Sequence, residues 1–176
     1  MENPLYTYKS IVKLRMTRHY MPMLMICTAF MDGDSLWRKE SGQASFGAIV
    51  ARIVRLIRNE TALLIGKSTD SALLPEAGHS GSMDDPPKLI AEIENAVTAF
   101  GEAVESADCK ALDIVGTMQL VEETSSQLGK LIDLAQRRSG LQFRFAENGF
   151  DERSFRRLVK EESTDPLIGS ARSSRV

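Results

Sequence analysis

Apolar positions hold a seven-residue register from Ile90 to Ser139. One row reads Ile90, Val97, Val104, Ala111, Met118, Ser125, Ile132 and Ser139. The other reads Ile93, Phe100, Ala107, Ile114, Val121, Leu128 and Ala135. Alternating steps of three and four residues describe the seam of a coiled coil. Written as one helix, this stretch is roughly 75 Å long. A narrow stripe on so long a rod needs a partner helix, so the seam predicts self-association. Ser106-Ala107-Asp108 offers a rival N-cap that would divide the rod into two antiparallel helices. The register runs through that point, and a turn would normally reset it; the pattern therefore favours one helix.

Elsewhere the pattern is less uniform. Residues 1–40 show neither clean helical nor strand periodicity, although basic Ile11–His19 allows a helical turn or two. The apolar run Met21–Met31 is too short to span a bilayer. Lys13, Arg15 and Arg18 precede it as in a signal peptide, but no small-x-small cleavage site follows. A buried or disordered methionine-rich stretch is the better reading. Phe46, Val50, Ile53, Ile57 and Leu64 recur at helical spacing and predict a helix from Ser45 to about Lys67. Leu74-Pro75 and Gly78–Pro87 read as a loop or linker. Pro86 and Pro87 suit the first turn of the long helix, where a missing N–H is harmless. That helix should end near Arg138-Ser139-Gly140, with a short one capped by Asp151 over Glu152–Glu162 and a disordered tail beyond. The expected fold is all-α: a long coiled-coil helix with a shorter helix, as a hairpin or bundle with flexible termini. Its divisions are an unassigned region 1–40, a coiled-coil region 41–146, and a short helix with tail, 147–176.

Composition changes little in this picture. The 176 residues carry a net charge of −2, with 26% charged and 6% aromatic residues. That balance supports neither nucleic-acid nor membrane-surface binding. Cys27 and Cys109 form no metal-ligand pattern or disulfide framework, so a reducing cytoplasm is the expected location.

From Leu120 the chain reads LVEETSSQLGKLIDLAQRRSGLQFRF. This stretch resembles the C-terminal end of the cytoplasmic signalling domain of methyl-accepting chemotaxis proteins. Leu131, Ala135, Leu141, Arg144 and Phe145 fall where that family places its Leu, Ala, Leu, Arg and Phe. Phe46 with Ala48–Arg55 resembles the family's GFAVVAxEVR, with Gly47 as an extra residue. Leu64–Ser68 followed by Ser71–Gly78 resembles an LIxxS segment and then SALVDEAG. The resemblance covers about residues 42–146, the descending arm of the family's helical hairpin. It implies an α-helical transducer that passes packing changes along a rod, with the chemotaxis histidine kinase and its coupling protein as partners. It also implies that Glu122 and Glu123 are γ-carboxyl methylation sites, where esterification would remove charge beside the seam. The alternative reading of that pair is a solvated helix face. The family's kinase-contacting tip should precede Gly42, where MPMLMICTAFMDGDSLWRKE stands instead. No x-W-x-x-F docking peptide for the methyltransferase is present, the one tryptophan being Trp37.

Enzyme motifs fail on inspection. Gly66-Lys67-Ser68 lacks the upstream glycine of a phosphate-binding loop, since Thr61 stands there. Gly78-His79-Ser80-Gly81 echoes a nucleophile elbow, but Ser82 replaces its last glycine. The other histidine, His19, lies in the unassigned region. No metal, cofactor or catalytic residue is expected. Beside the transducer reading stand a helical adaptor or secretion chaperone, whose seam grips a partner's amphipathic helix, and a degenerate gene remnant.

Overall fold

The computed structural model describes residues 4–39, 42–67, 85–108 and 112–163. Leu74-Pro75, the 78–84 loop with its histidine motif, Cys109, Ala111 and the tail from 164 lie outside them. The described residues are helical, without a strand. They form two units, 1–143 and 144–176.

The region expected to lack periodicity is helical. α1 (Pro4–Leu14), a π-helical stretch (Arg15–Tyr20) and α2 (Met21–Ala29) follow without a break. The Met21 N–H donates to the Met16 carbonyl, the i→i+5 bond of a π turn. This wider turn sits directly ahead of Pro22, which has no N–H to offer a regular helix. It also slips the phase of the apolar face, which explains why no steady period is visible in the sequence. Val12, Met16, Tyr20, Leu24, Cys27 and Met31 are all buried. The methionine-rich run is thus a core helix, with Met23, Leu24, Cys27, Thr28 and Met31 buried, Met21, Pro22, Met25 and Ile26 half-buried, and Phe30 exposed.

α3 (Gly33–Trp37) is capped by Asp32, which accepts from the Ser35 N–H. α4 (Phe46–Leu64) forms where the helical spacing predicts it, with Ser45 Oγ accepting from the Ala48 N–H. The ring of Trp37 lies so close to Gly47 that a Cβ there would meet it at 3.0 Å. The residue that looked like an insertion is therefore a point of close helix approach.

The expected rod is two helices, α5 (Pro86–Ser106) and α6 (Ile114–Ser139). Residues from α1 fix the end of α5. Lys9 Nζ donates to the carbonyls of Glu105 and Ala107, and Lys13 Nζ donates to Glu105 Oε2 at 2.8 Å. Cations at a helix C-terminus meet its orphan carbonyls and the negative end of its dipole. α6 then starts on its own cap, Asp113 Oδ1 accepting from the Gly116 N–H at 2.9 Å. The N-cap is Asp113, not the Ser106–Asp108 signal.

The turn does reset the register. In α5 the seam is internal: Ile93, Val97, Phe100 and Val104 are fully buried and Ile90 is half-buried. In α6 the buried face is Thr117, Leu120, Thr124, Gln127, Leu131 and Leu134, joined by Leu128 and Ala135. This face keeps steps of three and four but lies one residue behind the expected row. Ile114 and Met118 are consequently exposed, while Val121 and Ile132 are half-buried. α4 packs against both α5 and α6, and the continuous N-terminal helix packs against the same two. The partners that the seam requires come from its own chain. α6 ends at Gly140 in the left-handed region (φ 70°), as its Arg-Ser-Gly signal predicts.

In the second unit, Phe145 and Phe150 pack edge to face at 6.0 Å. α7 (Glu152–Ser163) follows, with Asp151 Oδ1 accepting from the N–H groups of Arg153 and Ser154. Arg153, Arg156, Arg157 and Lys160 lie at helical spacing along it, and Arg156 pairs with Glu152 at 3.5 Å.

Candidate functional site

The start of α6 gathers the least conventional chemistry of the first unit. Glu60 sits on the buried stripe of α4 together with Phe46, Val50, Ile53, Ile57 and Leu64. Its side chain is 8% exposed, and Oε1 is buried without a hydrogen-bond partner. Gly116 lies against it. A Cβ at Gly116 would meet Asp113 Oδ2 at 2.6 Å and Glu60 Oε2 at 3.0 Å. Two carboxylates thus converge on one glycine at a helix start. From α1, the Tyr8 hydroxyl donates to the Ile114 carbonyl at 2.9 Å and shares a hydrogen bond with Thr117 Oγ1.

Burial, and then the neighbouring Asp113 charge, raise the Glu60 carboxyl above its ordinary range. Burial also raises the Tyr8 phenol, against a lowering by its bond to Thr117. Cys27 is pushed up to about 12 by burial, which keeps it a protonated core thiol and not a nucleophile.

Beside this cluster lies an apolar surface. Ile114, Val115 and Met118 are 45%, 65% and 48% exposed. Leu63 and Ile65, at the end of α4, are 50% and 48% exposed. The approach of Glu60 to Gly116 brings the last turn of α4 to the first turn of α6. Large apolar side chains thus stand in water at both of these adjoining helix ends.

Of the expected methylation pair, Glu122 is exposed. Glu123 is tied down: it pairs with Arg52 of α4 at 3.0 Å and accepts from Gln127 Nε2 at 2.9 Å. The structure does not bring Glu122 or Glu123 to the Glu60 cluster through any described bond. Sequence reading missed Glu60, Asp113, Tyr8 and Thr117. Glu60 had a visible signal, an acid standing between Ile57 and Leu64 on an otherwise apolar stripe.

Among the described residues, no three His, Cys, Asp or Glu side chains are placed to hold a metal ion. No described helix is long and apolar enough to cross a membrane. Comparison with known families, curated proteins and solved structures finds no match to this chain.

Proposed function

We propose that this chain is a helical adaptor that binds an amphipathic helix of a partner protein across Ile114, Val115 and Met118, with Leu63 and Ile65 extending the contact. One observation carries the reading. Most of the seam is consumed inside the bundle, whereas its α6 start is turned outward and remains apolar. An exposed apolar strip beside a polar surface is the usual ground for helix docking, through anchors at spacings of three and four residues. Ile114 and Met118 are four apart and Val115 lies between them, which suits such anchors. The same strip offers a route to self-association, since the α5 half of the seam is already covered.

The test is selection of helix-forming peptides against the full chain from a displayed library. Binders should be amphipathic, and Val115→Asp with Met118→Asp should weaken them at least about tenfold, a loss of about 1.4 kcal/mol. Binders that are not amphipathic, or that ignore both substitutions, would refute the proposal.

A second reading, a transducer segment, is supported by the exposure of Glu122, which leaves its carboxylate open to a methylating enzyme. It predicts methyl incorporation by a chemotaxis methyltransferase that Glu122→Gln removes, and retention of the chemotaxis kinase and coupling protein in a pull-down. Absence of both at micromolar protein would end that reading.

A further inference from the structure

We propose that Glu60, Asp113 and Gly116 form a proton-operated latch on the first turn of α6, the turn that displays the apolar strip. Its basis is geometric. Glu60 Oε2 and Asp113 Oδ2 approach the same side of Gly116, where a Cβ would clash with Asp113 Oδ2 at 2.6 Å and press tightly on Glu60 Oε2 at 3.0 Å. Asp113 Oδ1 is already committed to the Gly116 N–H, which leaves Oδ2 as the oxygen turned toward Glu60. Glu60 Oε1 is buried and unpartnered.

The surroundings do not relieve this pair. α1 contributes the Tyr8 hydroxyl, which is spent on Ile114 and Thr117. From α5, Glu92 is paired with Arg58. From α6, Glu123 is paired with Arg52. Among the described residues no cation pairs with Glu60 itself. A buried carboxylate beside a second carboxylate is unfavourable unless one of them is protonated. With a proton taken from solvent, Glu60 is neutral beside Asp113, and Asp113 keeps its cap on α6. When the proton leaves, the buried Glu60 carboxylate is left charged beside the solvent-exposed Asp113 carboxylate at Gly116. Their relief is to open the first turn of α6, which carries Ile114, Val115 and Met118 with it. Acid closes the latch and alkali loosens it.

The direction of titration agrees, because burial and the Asp113 charge both favour the neutral form of Glu60. Regulation of docking by this latch rests on the adaptor reading; the latch itself does not.

The experiment is amide hydrogen exchange of the full chain between pH 4.5 and 7.5, corrected for intrinsic rates, at the Gly116 and Thr117 amides. Their protection should fall about tenfold per pH unit across the interval between the open-state and closed-state values of Glu60. Glu60→Gln, which preserves shape and cannot ionise, should make the profile flat. Asp113→Asn should reduce the slope. The Gly116 amide should exchange faster than that of buried Phe100, marking a local opening. A flat wild-type profile, a slope retained in Glu60→Gln, or exchange at Gly116 as slow as at Phe100 would overturn the latch. Binding of a selected amphipathic peptide, measured over the same range, separates the two ideas. A pH-dependent first turn with no effect of Val115→Asp on the peptide would refute the docking strip and leave the latch standing.

Discussion

Leu131 and Met118 distinguish a bundle from a rod most directly. Met118 belongs to the heptad row, while Leu131 belongs to the face that the bundle buries. In the structure Leu131 is fully buried and Met118 is about half exposed. Leu131→Ala removes three carbons from a closed site. Their transfer is worth about 2.4 kcal/mol at about 0.8 kcal/mol per carbon, and the cavity left behind brings the total to about 3–4 kcal/mol. Met118→Ala removes a side chain that already stands about half in water and leaves no closed cavity, so its effect should be within about 0.5 kcal/mol. Urea unfolding followed by helical circular dichroism reads both. With a slope of about 2 kcal/mol per molar, Leu131→Ala should lower the midpoint by about 1.5–2 M, and Met118→Ala should barely move it. Both midpoints should be the same at 2 and about 50 µM protein, because the core lies within one chain. Equal losses from the two substitutions, or midpoints that rise steeply with concentration, would refute the bundle and restore an intermolecular rod.

Four further outcomes follow from the same contacts. Lys9→Met should lower stability by about 1–2 kcal/mol in the same unfolding assay, since it strips a charged donor from the last carbonyls of α5. Gly116→Ala should destabilise the chain despite the better helix propensity of alanine, by about 1–2 kcal/mol, because its Cβ meets two carboxylate oxygens; a stabilised variant would disprove that packing. The contribution of Glu60 to stability is fully present below its unfolded value and is lost as pH rises through its raised folded value. Glu60→Gln should therefore unfold at higher urea than wild type at pH 7.5, with the difference closing toward pH 4.5. Finally, Cys27 in a Cys109→Ser chain should resist thiol reagents at pH 8 until denaturant is added, since its thiol is buried and pushed up to about 12.

Much of the helical content was legible because its signals are local. Ser45, Asp151 and Gly140 each mark a helix boundary within a residue or two of the observed one, through bonds to backbone groups a few positions away. The N-terminal helix was not legible. Its π turn breaks the period on which recognition depends, and α2 is apolar on too many sides to show a face. The end of α5 was hidden for another reason. It is set by Lys9 and Lys13, more than ninety positions away in the chain, and no window on Ser106 contains them. The candidate site lies at this same blind spot. Glu60 was passed over although an acid on an apolar stripe is a readable signal, whereas Asp113 and Gly116 acquire meaning only when the turn places them beside α4.

A heptad row states that a helix needs cover and leaves open where the cover comes from. The remainder of the chain supplies the answer through length. A rod from Pro86 to Ser139 would need a partner nearly as long as itself, whereas the helical run from Pro4 to Ala29 measures roughly 39 Å and α4 roughly 29 Å. The first can cover about half of such a rod and the second about a third. Divided at the turn, α5 and α6 become roughly 32 and 39 Å long, which matches the helices available to pack on them. The methionine-rich run faces the complementary difficulty, being too short for a bilayer and too apolar for water. The two needs satisfy one another when the rod folds in two. The division leaves its mark at the hinge, where a register reset by one residue carries Ile114 and Met118 off the buried face. Within the strip proposed for docking, Ile114 and Met118 are therefore the part of the seam that the described helices leave exposed.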